Sequence, residues 1–576
     1  MKKAFRLLPL LLLFLSQTAS SQYWNWVRSA TAPNLSLQTN SIVGFPGMCQ
    51  DSKGYLYFTG SYESNGGGTV HFDNYSFNST FFLLLKYNGS GHVKWAKTVP
   101  QNSDSANNTT GRGYGQCMAI DDSDMLIVSG IYTSNSIIFG NDTLFDNMVA
   151  TATRSMFLVK YDEQGNEIWA TQARHSFMGT VEPADIVTDK AGNIYVTGQT
   201  VAQYTVFDND TVWNYNYDHY GNVFSYFNDA FLAKYRPNGT LAWVRRQGGP
   251  GRELGNALVV KDGYVYMTGM VDGPYVNFGN DSLFHTAFLA KYDTAGHFIW
   301  AKGNDNITFQ QLKQGNHNEL YIAGVYGNGA VVGNATFQTI MPNNPYATNA
   351  YISCYDTSGN VKWAKEAGKG LGYSQTLVLD KVGRLWLGGT YIDSSFICGN
   401  VTLPYVTTNP QFPGDVFIAS YDTLAGNPLS ALSIGGSGFE GLFSILVDKD
   451  SLYVSGQFTS PVLAFGSYNI YIGYPTCQDW FFAKYILPPT GINDLPNENE
   501  VGVYPNPFTS TIYIQTTSPK QETFSLYDSY GKLILTKTII DNKEQINTSQ
   551  LAAGLYFYSI VNKNGERVKA GKVVKE

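Results

Sequence analysis

The stretch Asp189-Lys-Ala-Gly-Asn-Ile-Tyr-Val-Thr-Gly198 opens a unit that most of the chain repeats. The unit continues with Asp229-Ala-Phe-Leu-Ala-Lys-Tyr235, a turn at Arg236-Pro-Asn-Gly239 and Leu241-Ala-Trp-Val-Arg245. Short apolar or alternating runs between turns that contain Gly and Asn are typical of β-strands. The pattern therefore predicts strand, turn, strand, loop, strand, turn, strand.

The repeat is clearest in its second, third and fourth strands. The second strand ends in glycine in seven copies: Tyr57-Phe-Thr-Gly60, Ile127-Val-Ser-Gly130, Tyr195-Val-Thr-Gly198, Tyr266-Met-Thr-Gly269, Tyr321-Ile-Ala-Gly324, Trp386-Leu-Gly-Gly389 and Tyr453-Val-Ser-Gly456. The third strand ends at Tyr87, Tyr161, Tyr235, Tyr292, Tyr355, Tyr421 and Tyr485. The fourth carries Trp95, Trp169, Trp243, Trp300 and Trp363. The sixth copy has Pro428-Leu-Ser-Ala-Leu-Ser433 instead of the tryptophan strand.

The seventh copy has no fourth strand, because the chain runs from Tyr485 into Ile486-Leu-Pro-Pro489. The N-terminal stretch Tyr23-Trp-Asn-Trp-Val-Arg28 matches the missing strand through its Trp-Val-Arg. Radial closure protects the edges of four-stranded sheets. We therefore predict an all-β chain in which residues 22–487 form a seven-bladed β-propeller closed by an N-terminal strand.

Turns and long loops are expected on opposite faces of this ring. Asp-x-x-Gly turns such as Asp189–Gly192 and Asp162–Gly165 join the first to the second strand and the third to the fourth. The second-to-third loops and the links between blades carry the length variation, and function usually lies on such loops. A Phe-x-Asn-Asp repeat at Phe139, Phe207 and Phe278 predicts hairpins within them, with Asn and Asp at positive φ. The longest loop supplies the candidate binding residues, Trp213, Tyr215, Tyr217, His219, Tyr220 and Tyr226, together with Phe224 and Phe227.

Composition narrows the class of protein. Aromatic residues make up 15% of the chain and charged residues 14%, which with 58 glycines indicates a β-rich protein with many turns. The net charge of −7 and the pI of about 5.6 argue against nucleic acid as a partner. The five cysteines are an odd number and widely spaced, so we expect no disulfide framework, although one disulfide is possible. No pair has the spacing of metal ligands. They are Cys49, Cys117, Cys354, Cys398 and Cys477.

Residues 1–21 are predicted to be a signal peptide. Lys2, Lys3 and Arg6 precede the apolar run Leu7–Leu15, and Ala19-Ser-Ser21 supplies small residues before a cleavage site at Gln22. The apolar run is too short to cross a bilayer as a helix. No other stretch has about 18 consecutive apolar residues, so we expect no transmembrane segment in the mature chain.

The end of the chain is predicted to be a separate domain. Residues 488–500 are polar and rich in turn residues, which indicates a linker. Short strands near Ile512, Phe524, Leu533 and Tyr556 then alternate with turns. This pattern predicts a small Ig-like β-sandwich over residues 501–576.

This C-terminal domain contains several short motifs: Tyr504-Pro-Asn-Pro507, Leu526-Tyr-Asp528, Gly531-Lys532, Leu551, Gly554-Leu-Tyr556 and Lys572-Val-Val-Lys575. Together they resemble the type A sorting domain of the type IX secretion system of Bacteroidetes. The resemblance implies the type IX secretion machinery as a partner and passage through the periplasm and across the outer membrane. It also implies removal of the domain, then release or attachment to surface lipopolysaccharide. The sorting-motif residues would be Tyr504, Pro505, Asn506, Pro507, Gly531, Gly554 and Tyr556.

The Asp-Ala-Phe-Leu-Ala-Lys-Tyr run at Asp229, followed by Gly and Trp, resembles the seven-bladed β-propeller (SBBP-like) repeats of exported proteins with this tail. That family has no settled activity, so the resemblance bears on the fold. The Asp-x-x-Gly-x-x-x-Trp turn is also similar to the tryptophan-docking motif of pyrroloquinoline-quinone propellers. Those enzymes have eight blades and a vicinal cysteine pair, both missing from this sequence, and we expect no cofactor.

Motifs for established chemistry are missing from the sequence, including a phosphate loop, a zinc-protease helix and a nucleophile elbow. Asp121-Asp-Ser-Asp124 suggests calcium, but it replaces an Asp-x-x-Gly turn and lacks the other loop ligands. We therefore predict no metal site. A glycosidase would need two carboxylates roughly 5–10 Å apart. Those expected on the loop face are Asp104, Glu182, Asp185, Glu253 and Glu440.

The function expected from these patterns is that of a non-enzymatic binding propeller, secreted or attached to the outer surface. Planar side chains of the third-blade loop could stack on sugars or anchor a protein partner. Two alternatives stay open. One is a polysaccharide-degrading enzyme that uses loop carboxylates such as Glu182, Glu253 and Glu440 over the channel. The other is a purely structural or adhesion component of the cell surface.

Overall fold

Antiparallel β-strands account for the regular structure in the computed structural model, and the described residues contain no helix that could cross a membrane. The structure describes residues 23–29, 40–41, 47–64, 69–78, 80–100, 103–104, 109–110, 113–146, 153–176, 179–215, 227–339, 348–392, 395–406, 414–472, 478–487, 501–516, 522–528, 532–561 and 567–576. These residues fall into two compact units, one of them Tyr23–Ile486 and the other within Leu487–Glu576.

The described part of the first unit contains seven antiparallel sheets, in each of which a first, a second, a third and a fourth strand pair in that order. The first strands are Gly47–Gln50, Gly113–Ile120, Thr180–Thr188, Arg252–Lys261, Gln311–Gln314, Gly372–Leu379 and Glu440–Asp448. The second strands are Leu56–Ser64, Leu126–Tyr132, Ile194–Val201, Tyr264–Asp272, Glu319–Tyr326, Arg384–Tyr391 and Ser451–Phe458. The third strands are Thr80–Tyr87, Ser155–Tyr161, Asp229–Tyr235, Ala287–Asp293, Asn349–Asp356, Asp415–Asp422 and Asp479–Ile486. The fourth strands are Val93–Thr98, Glu167–His175, Leu241–Gln247, Phe298–Asn304, Val361–Glu366, Pro428–Ile434 and, for the last sheet, Tyr23–Ser29.

A short hairpin lies between the second and third strand of each of these sheets. The hairpins pair Thr69–Phe72 with Tyr75–Asn78, Ser136–Phe139 with Asp142–Phe145, Tyr204–Phe207 with Asp210–Trp213, Val276–Phe278 with Asp281–Leu283, Val331–Val332 with Ala335–Thr336, Ser395–Cys398 with Val401–Pro404, and Val462–Phe465 with Tyr468–Tyr471. The predicted Phe-x-Asn-Asp hairpins are present, but φ is positive at the residue after Phe, at Gly140, Asp208 and Gly279. Two further short strands, Ser103–Asp104 and Thr109–Thr110, pair with each other, and Asn40–Ser41 pairs with Leu56–Ser64.

The first strands follow one another around a ring. Each contacts the first strand of the next sheet, and the last, Glu440–Asp448, contacts Gly47–Gln50. At the rim, the N-terminal strand Tyr23–Ser29 pairs with Asp479–Ile486, from Tyr23 opposite Ile486 to Ser29 opposite Phe481. This is the pairing that the sequence predicted, and it joins the start of the unit to its end.

The repeated tryptophans connect neighbouring sheets. Trp243 of the third sheet donates its indole N–H to the carbonyl oxygen of Thr294 (3.2 Å), in the third-to-fourth turn of the fourth sheet. Gly296 of that turn lies against the indole, where a Cβ would be 2.7 Å from Trp243 Cδ2. The same arrangement joins Gly91 to Trp26, Gly165 to Trp95, Gly239 to Trp169, Gly359 to Trp300 and Gly426 to Trp363. The tryptophans are therefore core residues between sheets, which the hydrophobic clusters also span.

The described cysteines Cys49, Cys117, Cys354 and Cys398 are free thiols. Cys354 is buried, in agreement with its place in a strand. Cys477 lies outside the described residues.

The second unit contains two sheets that enclose one apolar core. One sheet pairs Val501–Tyr504, Thr511–Thr516 and Lys543–Asn547. The other pairs Leu533–Ile539, Glu522–Tyr527, Gly554–Val561 and Arg567–Lys575 in that order. Ile512 and Ile514 from the first sheet share the core with Phe524 and Ile560 from the second.

Candidate functional site

Four aromatic side chains form an exposed surface beside the third and fourth sheets, which we call the aromatic platform: Trp213, Tyr215, Tyr275 and Phe284. Trp213 is 40% exposed, Tyr215 36% and Phe284 67%. The Tyr215 and Tyr275 rings meet edge to face at 6.5 Å, and the Tyr275 and Phe284 ring centroids are 5.6 Å apart. The two tyrosine hydroxyls are hydrogen-bonded at 2.9 Å. The platform therefore offers aromatic faces together with hydroxyl groups.

The platform rests on polar contacts from the third sheet. Arg246 donates from Nη1 to the carbonyl oxygen of Trp213 (2.5 Å), and its guanidinium lies over the Tyr215 ring, 5.7 Å from the centroid. The backbone N–H of Tyr215 donates to Oδ2 of Asp229 (2.7 Å). Asn214, between the two aromatics, is buried and donates to the carbonyl oxygen of Phe227 (3.2 Å). These contacts fix the backbone that carries Trp213 and Tyr215.

Two fully buried carboxyl groups, Asp229 and Glu253, lie under this backbone at the junction of the third and fourth sheets. Glu253 Oε2 accepts from the N–H of Gly249 (2.8 Å), and Arg246 Nε is 3.7 Å from Asp229 Oδ2. Neither Asp229 Oδ1 nor Glu253 Oε1 has a hydrogen-bond partner within the described part of the chain. Burial raises the pKa of Asp229 to about 7, against the pull of Arg246. Burial and the negative charge of Asp229 raise the pKa of Glu253 to about 8.

A similar junction joins the sixth and seventh sheets. Glu440 is fully buried and accepts from the N–H of Gly436 (2.7 Å) and from the Ser460 hydroxyl. Burial raises the pKa of Glu440 to about 7. The buried Asp415 accepts from the N–H of Val406 (2.7 Å). The recurrence indicates that Glu253 and Glu440 stabilise the links Gly248–Gly251 and Gly435–Gly438.

Among the other residues singled out in the sequence, those that the structure describes lie outside the platform. Glu182 accepts from Arg154 (2.5 Å) and from Gln199 (2.9 Å). Asp185 lies in the strand Thr180–Thr188, and Asp104 lies in the strand Ser103–Asp104. Tyr217, His219, Tyr220, Phe224 and Tyr226 lie outside the described residues. The sequence therefore located two platform residues and missed Tyr275, Phe284 and Arg246, whose only signal is that they lie outside the repeated positions.

No group of three or more His, Cys, Asp or Glu within the described ranges is arranged to hold a metal ion. The Asp121–Asp124 run forms a turn, because Asp121 Oδ1 accepts from the N–H groups of Ser123 (2.9 Å) and Met125 (3.0 Å). Asp121 Oδ2 also accepts from Lys160 (2.7 Å). Asp124 takes the positive φ (58°) that glycine has in the other turns.

The sorting-motif residues of the second unit have structural contacts. Asn506 Nδ2 donates to the carbonyl oxygen of Lys572 (3.1 Å), and Asn506 Oδ1 accepts from the N–H of Val574 (2.8 Å). Tyr504 stacks on Tyr513 at 5.8 Å. The Tyr-Pro-Asn-Pro motif, which includes Pro505 and Pro507, is thus joined to the last strand. The Tyr556 hydroxyl donates to the carbonyl oxygen of Ala552 (2.8 Å), Gly554 has a φ of 152°, and Gly531 lies outside the described residues.

Comparison with curated proteins gives one relative of low identity. An uncharacterised WD repeat-containing protein of Acanthamoeba polyphaga mimivirus is 23% identical over 363 residues, which cover 51% of this chain and 25% of that protein. The match therefore spans about a quarter of the relative's length.

The similar solved structures include a Dos1 propeller, with a TM-score of 0.37 and 10% identity over 78% of this chain and 81% of that one. They also include PorZ, described as an essential bacterial surface component of the type IX secretion system of Porphyromonas gingivalis. PorZ has a TM-score of 0.26 and 12% identity over 94% of this chain and 100% of its own.

Family comparison assigns two segments. Residues 502–576 match the secretion system C-terminal sorting domain, and residues 168–202 match a β-propeller repeat. The second match covers the tryptophan strand Glu167–His175 almost completely and runs through the second strand of the following sheet. The chain thus contains a β-propeller repeat and a secretion system C-terminal sorting domain, and the sorting domain indicates export by type IX secretion to the cell surface or outside the cell.

Proposed function

We propose that the chain is a non-enzymatic binding protein that engages glycan or protein through the loop face of a seven-bladed propeller. The propeller comprises residues 22–487, and the ring of seven first strands supports this blade number. Residues 1–21 are its signal peptide, 488–500 a linker and 501–576 an Ig-like β-sandwich. The two-sheet core of the second unit supports the sandwich.

The aromatic platform carries the binding proposal. Trp213, Tyr215 and Phe284 are each more than a third exposed although they are large and apolar, and they come from two neighbouring sheets. Exposed aromatic groups with hydroxyls at their edges suit stacking on sugar rings and the anchoring of protein partners. Their backbone is held by Arg246 and Asp229, so little conformational entropy would be lost on binding.

The placement of the carboxylates favours binding over hydrolysis. Glu253 and Glu440 are fully buried at two separate junctions, so neither offers a carboxylate to a substrate. Glu182 is engaged by Arg154 and Gln199. A glycosidase needs two carboxyl groups that flank the scissile bond, and these three residues do not supply such a pair.

Substitution of Trp213 by alanine is expected to weaken retention on the polysaccharide or surface protein that the chain binds by about tenfold, or roughly 1.4 kcal/mol. The loss of one stacking surface causes the effect, while the exposed side chain contributes little to the fold. Pull-down of the purified full chain on a panel of insoluble polysaccharides and on cell-surface extracts would measure it. Tyr471→Ala is the matched control, because Tyr471 is 65% exposed on the hairpin of the seventh sheet.

The same tubes would be assayed for released reducing ends. Retention without release, reduced by Trp213→Ala and unchanged by Tyr471→Ala, supports the proposal. Release of reducing ends would replace it with the polysaccharide-degrading alternative. Failure of the chain to bind any polysaccharide or surface component would favour the structural alternative.

A further inference from the structure

A large cavity lies inside the ring of first strands, away from the aromatic platform. Its volume is about 1010 Å³, and residues from all seven first strands or their adjoining turns line it. Ligand pockets in proteins usually enclose about 300–1,000 Å³. The cavity is therefore large enough for a ligand of several rings.

The ionised groups that line this cavity are each balanced by a nearby charge or by backbone donors. The Asp185 carboxylate accepts from the N–H groups of Leu258 (2.8 Å) and Ile186 (2.9 Å), and the Lys313 ammonium opposes the effect of burial, which raises the Asp185 pKa. Lys381 pairs with Asp448 at 3.1 Å.

The remaining lining carboxylate, Asp380, pairs with Arg384 at 2.7 Å. Each charge in the wall thus has an opposite charge or backbone donors nearby. A phosphate, a peptide terminus or another ion would bring a charge that this wall leaves uncompensated.

The other polar groups of the lining are mostly primary amides: Gln50, Gln116, Asn256, Gln311, Gln314, Asn316 and Gln375. Gln116, Asn256 and Gln375 lie where the first strand slips register against the second, and such bulges re-aim a side chain. Gln116 Oε1 is buried and has no hydrogen-bond partner among the described residues.

Amides both donate and accept hydrogen bonds, as sugar hydroxyls do. Met48, Met118 and Phe443 add apolar surface that can contact the C–H face of a pyranose ring. We propose that the central cavity is a second ligand site, and that it takes an uncharged, hydroxyl-rich ligand, namely the end of a saccharide chain. The site is distinct from the aromatic platform and does not depend on the function proposed for it.

The test is a blocking variant. Ala184 lies at the bulge of Thr180–Thr188, the first strand of the third sheet, where it lines the cavity and is exposed to it. Ala184→Trp should therefore fill the cavity without burying a polar group. Isothermal titration of the purified full chain with short neutral cello-, xylo-, manno- and malto-oligosaccharides is expected to find one that binds. Ala184→Trp should weaken that binding at least tenfold with an unchanged Tm.

Two further variants make the result specific. Gln116→Leu should weaken oligosaccharide binding, whereas Gln164→Leu, on an exposed turn outside the cavity, should not. Trp213→Ala should leave this affinity unchanged, which separates the cavity from the platform. Two results would each overturn the proposal: no oligosaccharide binds, or binding survives Ala184→Trp.

Discussion

Replacement of Trp243 by alanine is expected to lower the free energy of unfolding of the first unit by about 3–5 kcal/mol. The indole is 8% exposed and fills the junction between the third and fourth sheets. Its removal leaves a cavity beside Gly296, which lies against the ring. Gly296 has a positive φ of 86° and no side chain, so it cannot fill this space. The carbonyl oxygen of Thr294 would also lose its indole donor.

Denaturant unfolding of the full chain, followed by tryptophan fluorescence, would measure this loss. All 10 tryptophans lie between Trp24 and Trp480, so the signal reports the first unit. Trp213→Ala is the matched control, because its 40% exposed ring should cost less than about 1 kcal/mol. Equal losses from the two variants would show that the repeated tryptophans do not hold neighbouring sheets together.

The repeated tryptophans show which features of the fold could be predicted from the sequence and which could not. Five fourth-strand tryptophans and the N-terminal Trp-Val-Arg match could be found from the sequence, and they predicted the order of the sheets. The reason for the exception at Pro428–Ile434 could not be predicted from sequence spacing. Each tryptophan contacts the third-to-fourth turn of the next sheet, as Trp363 contacts the turn at Thr423. The seventh sheet takes its fourth strand from Tyr23–Ser29, so its third and fourth strands are not joined by such a turn. Within the described residues, a tryptophan on the sixth sheet would therefore have no equivalent turn to contact.

The candidate site was less predictable because its residues are distant in sequence. Trp213 and Tyr215 could be found because they fall outside the repeat. Phe284, 71 positions after Trp213 in the numbering, joins them only through the packing of two sheets. Glu253 was predicted to be a loop carboxylate, but it is buried under the glycine link. That burial comes from the packing of the link Gly248–Gly251, which sequence spacing does not show.

Replacement of Glu253 by glutamine is expected to change stability in a way that depends on pH. Asp229 and Glu253 have pKa values of about 7 and 8 in the folded protein, against roughly 3.9 and 4.3 in an unfolded chain. Between these values the folded state binds more protons than the unfolded state. The contribution of the two carboxyl groups to the free energy of unfolding is therefore fully present at low pH and falls as the pH rises towards 8. A single carboxyl contributes at most about 1.4 kcal/mol per pH unit.

A glutamine at position 253 reproduces the protonated carboxyl at every pH. Its amide oxygen can accept from the N–H of Gly249, as Glu253 Oε2 does. Glu253→Gln should therefore gain stability relative to the unsubstituted protein as the pH rises above roughly 4.3, the pKa of glutamate in an unfolded chain. Between pH 5.5 and 8.5 this relative gain should be roughly 3 kcal/mol, because only the unsubstituted protein has to ionise a second buried carboxyl group beside Asp229.

The contrast between two pH values isolates the buried pair from the many other groups that titrate in the chain. Denaturant midpoints of the full chain at pH 5.5 and 8.5 would be compared with those of Glu182→Gln, which removes a carboxylate from the same face that is paired with Arg154. That control should lose the same small amount of stability at both pH values. If Glu253→Gln were destabilised equally at both, the pKa of Glu253 would not be raised in the folded protein. Glu253 would then be held as an anion by Gly249 and Arg246, and the backbone that carries Tyr215 would be insensitive to pH.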